Sequence, residues 1–165
     1  MEPGEALGTA AQIAVALAGF AGVVVVFRRE SVHKWSGIDR LRLRLLLANS
    51  LLPLGLCMIG LLLLSIKPTP LEIWRWCSGV AFIASFLFPI TMTKGFRRLG
   101  LQQVQRERFT RFVMYLFAVF GTAATLLQLY NTAFLGAFWP FFTSIVFQVV
   151  TATFQFARMI LLPPE

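Results

Sequence analysis

Ionisable residues are what this chain has least of. Asp, Glu, Lys and Arg make up only 13% of its 165 residues, while 58% are apolar. Soluble globular proteins carry about twice that charged share, so the balance excludes a disordered or collagenous chain and points to a bilayer as the solvent. Cysteine occurs twice and histidine once. Neither a disulfide-rich secreted scaffold nor a Cys/His metal site is therefore expected, and Cys57 and Cys77 are read as free thiols. The single histidine, His33, lies outside every long apolar run, which excludes a histidine relay across a membrane.

Charges are missing altogether from four stretches, 8–27, 45–66, 76–93 and 112–157. A helix rises about 1.5 Å per residue and bonds its own backbone, so about 20 apolar residues cross a hydrocarbon core of about 30 Å. Each of the first three stretches fits one crossing. The fourth, 46 residues long, would reach about 69 Å as one helix and must fold back on itself. Tyr130, Asn131, Thr132 and Gly136 supply the turn, Trp139 an interfacial aromatic and Pro140 a helix start. The expected fold is an all-α integral membrane protein, one transmembrane domain over 1–165. Its five transmembrane helices are placed at about 8–27, 45–66, 76–93, 112–130 and 138–158.

The cations orient these spans. The loop 28–44 holds Arg28, Arg29, Lys34, Arg40, Arg42 and Arg44, and the loop 94–111 holds Lys94, Arg97, Arg98, Arg106, Arg108 and Arg111. Between spans two and three stand only Lys67 and Arg75, and the first seven residues carry Glu2 and Glu5 with no cation. Lys and Arg accumulate on the cytoplasmic side, so the N-terminus is expected outside and the C-terminus in the cytoplasm, with 13 basic residues inside and 2 outside. Aromatic residues follow the same plan, with Trp74, Trp76, Tyr130 and Trp139 at outer ends and Trp35 and Tyr115 at inner ends. Acidic residues before the first run are the reverse of a signal peptide's basic leader, so the first span is read as retained. The pattern fits a bacterial cytoplasmic (inner) membrane.

Topology also accounts for the net charge of +8. Arg28, Arg29, Arg40, Arg42, Arg44, Arg97 and Arg98 stand where anionic lipid headgroups lie, each worth about 1 kcal/mol of attraction. No nucleic-acid module accompanies them, which makes lipid, not nucleic acid, the expected partner. Ser36 with Asp39 three residues later reads as an N-cap and acidic first turn, so the second helix is expected to begin inside the cytoplasm.

Within the spans the lack of ionisable groups excludes proton relays and metal-dependent lipid phosphotransfer. Ser50, Ser78, Ser85 and Ser144 have no base in the bilayer to activate them, so no catalytic residue, metal or cofactor is assigned. Two features remain. Ala6, Ala10, Ala14, Ala18 and Gly22 repeat every fourth residue along span one, a small face for helix packing. Ser144, Gln148, Thr151, Gln155 and Arg158 fall within a sector of about 80° on the last span. That polar stripe either bonds Gln12, Asn49, Thr122, Thr125 or Gln128 on other helices or lines a wet path.

The expected function is a non-enzymatic membrane protein acting through helix association, as a homo-oligomer or a subunit of a larger membrane complex. The alternative is a homo-oligomeric channel or facilitator for anions or small neutral solutes. A lipid-modifying enzyme using His33 and Asp39 at the cytoplasmic interface is a further alternative.

Overall fold

A computed structural model describes residues 2–27, 36–66, 70–98 and 108–161, and among these residues there is no strand. Among the described residues five helices follow one another: α1 (Pro3–Phe27), α2 (Gly37–Ile66), α3 (Pro70–Arg98), α4 (Arg108–Tyr130) and α5 (Phe138–Leu161). A π-helical turn, Asn131–Leu135, joins the last two. Three of the helices are long and apolar enough to cross a membrane, over Pro3–Val26, Asp39–Ile66 and Phe138–Leu161.

The helix starts are written in their first residues. In α1, Pro3 occupies the first turn, where its missing N–H costs nothing, and the Glu2 N–H donates back to Glu5 Oε2 at 3.4 Å. In α2, the Asp39 N–H donates to Ser36 Oγ at 3.1 Å, the N-cap expected from the sequence. Asp39 is itself buried and bonded to Arg42 at 3.3 Å. The helices outrun the uncharged stretches at several ends: α2 starts at Gly37, α3 covers Pro70–Arg98 and α4 starts at Arg108. Residues 37–44 are helical, as the Ser36 cap implies, and residues 94–98 and 108–111, read from the sequence as loop, are helical too. Arginine is a good helix former, so a charge ends the apolar run without ending the helix.

The chain divides into two compact units, Met1–Thr69 with Ile145–Glu165, and Pro70–Ser144. In the first, α1 packs along α2. Leu17 and Ala21 join Leu43, Leu46, Ala152 and Met159 in one buried cluster, with Phe20 stacked on Phe156 at 5.5 Å. The buried side of α1 is Ala6, Leu7, Ala10, Ala14, Leu17 and Ala21. The stripe of every fourth residue lies only partly on this side. Four residues advance a helix by about 400°, so Ala6 to Gly22 drifts about 160° around the axis. Ala10 and Ala14 are buried, Ala18 is half-buried and Gly22 is exposed. The packed seam holds its side because Leu7, Ala10, Ala14, Leu17 and Ala21 alternate steps of three and four.

In the second unit α3 packs on α4 and on the π-helical turn. Trp74 is buried there, its ring 4.7 Å from Phe138 and 6.0 Å from Phe141. From sequence alone Trp74 belongs beside Trp76 at the interface. Two residues advance a helix by about 200°, so only one of the pair can face outward, and it is Trp76. Large apolar side chains stay exposed on every helix, among them Phe20, Leu62, Phe86, Phe120 and Val150. That surface matches hydrocarbon far better than water.

Candidate functional site

The polar stripe of α5 turns inward. Ser144, Gln148 and Thr151 are buried, and Gln155 and Arg158 are half-buried. Both hydroxyls are spent on the helix itself: Ser144 Oγ donates to the Phe141 carbonyl at 3.0 Å and Thr151 Oγ1 to the Phe147 carbonyl at 2.8 Å. The amides are left to reach neighbours. Asn49 Nδ2 donates to the Leu45 carbonyl at 2.9 Å and to Gln155 Oε1 at 3.5 Å. Gln148 Oε1 is buried with no donor among the described residues. Of the partners expected for the stripe, Asn49 is the one found. Thr122 and Thr125 bond carbonyls of their own helix at 2.7 and 2.8 Å, and Gln12 is exposed.

A second polar assembly lies where α4 breaks into α5. Ending a helix frees carbonyls and amides that an apolar surrounding cannot satisfy. Gly136 closes the turn at φ 62°, a left-handed conformation that glycine adopts without strain, and its N–H donates to the Asn131 carbonyl at 2.9 Å. The Asn131 side chain satisfies the next residue at both ends. Its Oδ1 accepts the Ala137 N–H at 2.9 Å, while Nδ2 donates to the Ala137 carbonyl at 2.9 Å and to Ser78 Oγ at 2.6 Å. Gln128 Nε2 donates to the Pro140 carbonyl at 2.6 Å, and Gln128 Oε1 is buried without a donor among the described residues. Sequence reasoning takes Asn131 as a turn former and Gln128 as a partner for the stripe. The missed signal is the run of amides and hydroxyls at 128, 131 and 132 beside a Gly-Ala break.

A third feature is a surface. On α1, Gly4, Gly8, Ala11, Val15, Gly19 and Gly22 fall within a sector of about 80°, roughly 130° around the helix from the buried seam. A methyl group added at Gly4, Gly8, Gly19 or Gly22 would meet nothing within 4 Å. Intrachain packing therefore leaves this glycine face open.

None of these places joins a nucleophile to a base. Among the described residues no group of His, Cys, Asp and Glu could hold a metal ion, and Cys57 and Cys77 are buried, unbonded thiols. Of the arginines assigned to headgroups, Arg40 and Arg44 are exposed and Arg42 is half-buried on Asp39. Arg28 and Arg29, like His33 and Trp35, lie outside the described residues. Arg97 and Arg98 end α3, with side chains that also lie outside the description. Comparison with protein-family models, curated proteins and solved structures gives no match to this chain.

Proposed function

We propose that this chain is a non-enzymatic membrane protein that works by helix association, with a second copy or a membrane partner seated on the glycine face of α1. Lipid provides no hydrophobic drive for helices to associate, so close backbone approach along small residues has to supply it. The observation that carries the reading is the open face of Gly4, Gly8, Gly19 and Gly22 on a helix whose other side is already packed. Each glycine costs a helix up to about 1 kcal/mol relative to alanine. Four on one side with room for a Cβ, two of them exposed and two half-buried, make sense where a neighbour must come close.

The same reading takes all five helices as spans. α3 and α4 have 29 and 23 residues, enough to cross a bilayer core, and α4 exposes Phe112, Tyr115 and Phe120. The positive-inside distribution then sets the N-terminus outside and the C-terminus in the cytoplasm, in a bacterial inner membrane. The channel alternative loses support because its lining, Ser144, Gln148 and Thr151, is buried within a single chain.

Leucine at Gly8, Gly19 and Gly22 tests the association. Native mass measurement in mild detergent should show the wild type as a complex and the triple variant as a single chain with unchanged helical circular dichroism. A complex of unchanged mass in the triple variant overturns the proposal.

A further inference from the structure

From α2 we infer a binding site for one anionic glycerophospholipid, its phosphate held by Arg40 and Arg44 and its acyl chain laid along the outer face of the helix. Arg40 and Arg44 are one helical turn apart and both exposed. The acid beside them is occupied: Asp39 is buried, with Arg42 bonded to its carboxylate at 3.3 Å. Arg42, two residues from each, falls on the other side of the helix, beside Asp39 and away from the outer pair.

Beyond the two arginines that face is purely apolar. Arg40, Arg44, Leu51, Gly55, Met58 and Leu62 fall within a sector of about 60°. Leu51, Met58 and Leu62 are 53%, 58% and 60% exposed, so the described residues leave much of each side chain uncovered. Gly55 makes a notch in the middle of the row, since a methyl group there would meet nothing within 4 Å. From Arg44 to Gly55 the helix rises about 16 Å, close to the half-thickness of a core of about 30 Å. One face of α2 thus offers two cations and then an apolar track whose first leaflet-length ends at the Gly55 notch. Charge followed by hydrocarbon at that spacing is the complement of an anionic lipid. A soluble phosphate would use only the first part.

This inference rests on α2 being a membrane span, and the two are tested separately. If alkaline carbonate strips the full-length chain from membranes, the spanning reading fails. For chain that stays inserted, vesicles containing equal parts of phosphatidylglycerol and phosphatidylcholine are dissolved in mild detergent, and the lipid retained is counted by native mass spectrometry. Wild type should keep phosphatidylglycerol in preference to phosphatidylcholine. Arg40→Gln with Arg44→Gln should reduce that preference by about thirtyfold, as expected for two headgroup contacts, while Arg40→Lys with Arg44→Lys should keep most of it. Arg75→Gln removes an exposed arginine one turn from exposed Glu72 and should change nothing. Excess glycerol phosphate should fail to displace the lipid, and Gly55→Trp should weaken retention by filling the notch. Equal retention of the two lipids, an unchanged preference in the double glutamine variant, or displacement by glycerol phosphate overturns the site.

Discussion

Asn131 at the start of the π-helical turn donates from Nδ2 to Ser78 Oγ on α3 at 2.6 Å, tying the break between α4 and α5 to a third helix. The same side chain bonds both backbone groups of Ala137. Asn131→Ala leaves the half-buried Ala137 N–H and carbonyl without these bonds, and an unsatisfied buried group costs about 1–3 kcal/mol. The variant should lose about 2–3 kcal/mol, read from denaturant unfolding in detergent. Ser78→Ala removes only an acceptor and should lose about 1 kcal/mol. Equal losses in the two variants would show that the Ala137 bonds contribute nothing.

Glycine to alanine should have opposite signs at two positions. Gly136 holds a left-handed φ of 62°, where a Cβ costs about 1–2 kcal/mol. Gly8 sits in ordinary helix with open space around it, so Gly8→Ala should stabilise a single chain by up to about 1 kcal/mol. Thermal unfolding of both variants in detergent checks this. A stabilising Gly136→Ala would mean that the turn does not need the left-handed conformation.

The contact between Asn49 and Gln155 is long at 3.5 Å, and Asn49 also bonds its own helix. A double-mutant cycle with Asn49→Ala and Gln155→Ala should give a coupling of about 0.6 kcal/mol, the average for such bonds between membrane helices. Coupling above about 2 kcal/mol would indicate a buried network larger than this one pair.

Much of this architecture is legible in the residues because two physical rules act on single positions. Charges end apolar runs, which locates α1 and α2, turn formers inside one over-long run locate the α4–α5 fold-back, and caps such as Ser36 and Asp39 act within one turn. What is not legible depends on rotation about the helix axis. A stripe such as Ala6 to Gly22 looks regular in sequence yet winds around the helix, so Ala14 packs inside while Gly22 faces out. The polar stripe of α5 is visible in sequence because its steps of three and four hold one side. Whether that side faces in or out is a property of its neighbours, and Asn49 lies more than a hundred residues away in sequence. The Asn131 assembly is hidden for a related reason, since Ser78 comes from another helix altogether.

Trp74 and Trp76 offer the sharpest contrast between sequence and rotation. Both look like interfacial aromatics, yet Trp74 is 3% exposed against Phe138 and Phe141 while Trp76 is 72% exposed. Truncating a buried aromatic costs about 3–5 kcal/mol through lost transfer energy and the cavity left behind. Trp74→Ala should therefore cost that much, whereas Trp76→Ala, away from any packed neighbour, should stay within about 0.5 kcal/mol of wild type. Denaturant unfolding in detergent measures both. Fluorescence gives a check independent of stability: with Trp35 and Trp139 replaced by Phe, brominated lipid should quench a chain that retains only Trp76 and spare one that retains only Trp74. Equal quenching of the two chains would place Trp74 at the lipid surface and remove it from the core of the α3–α4 unit.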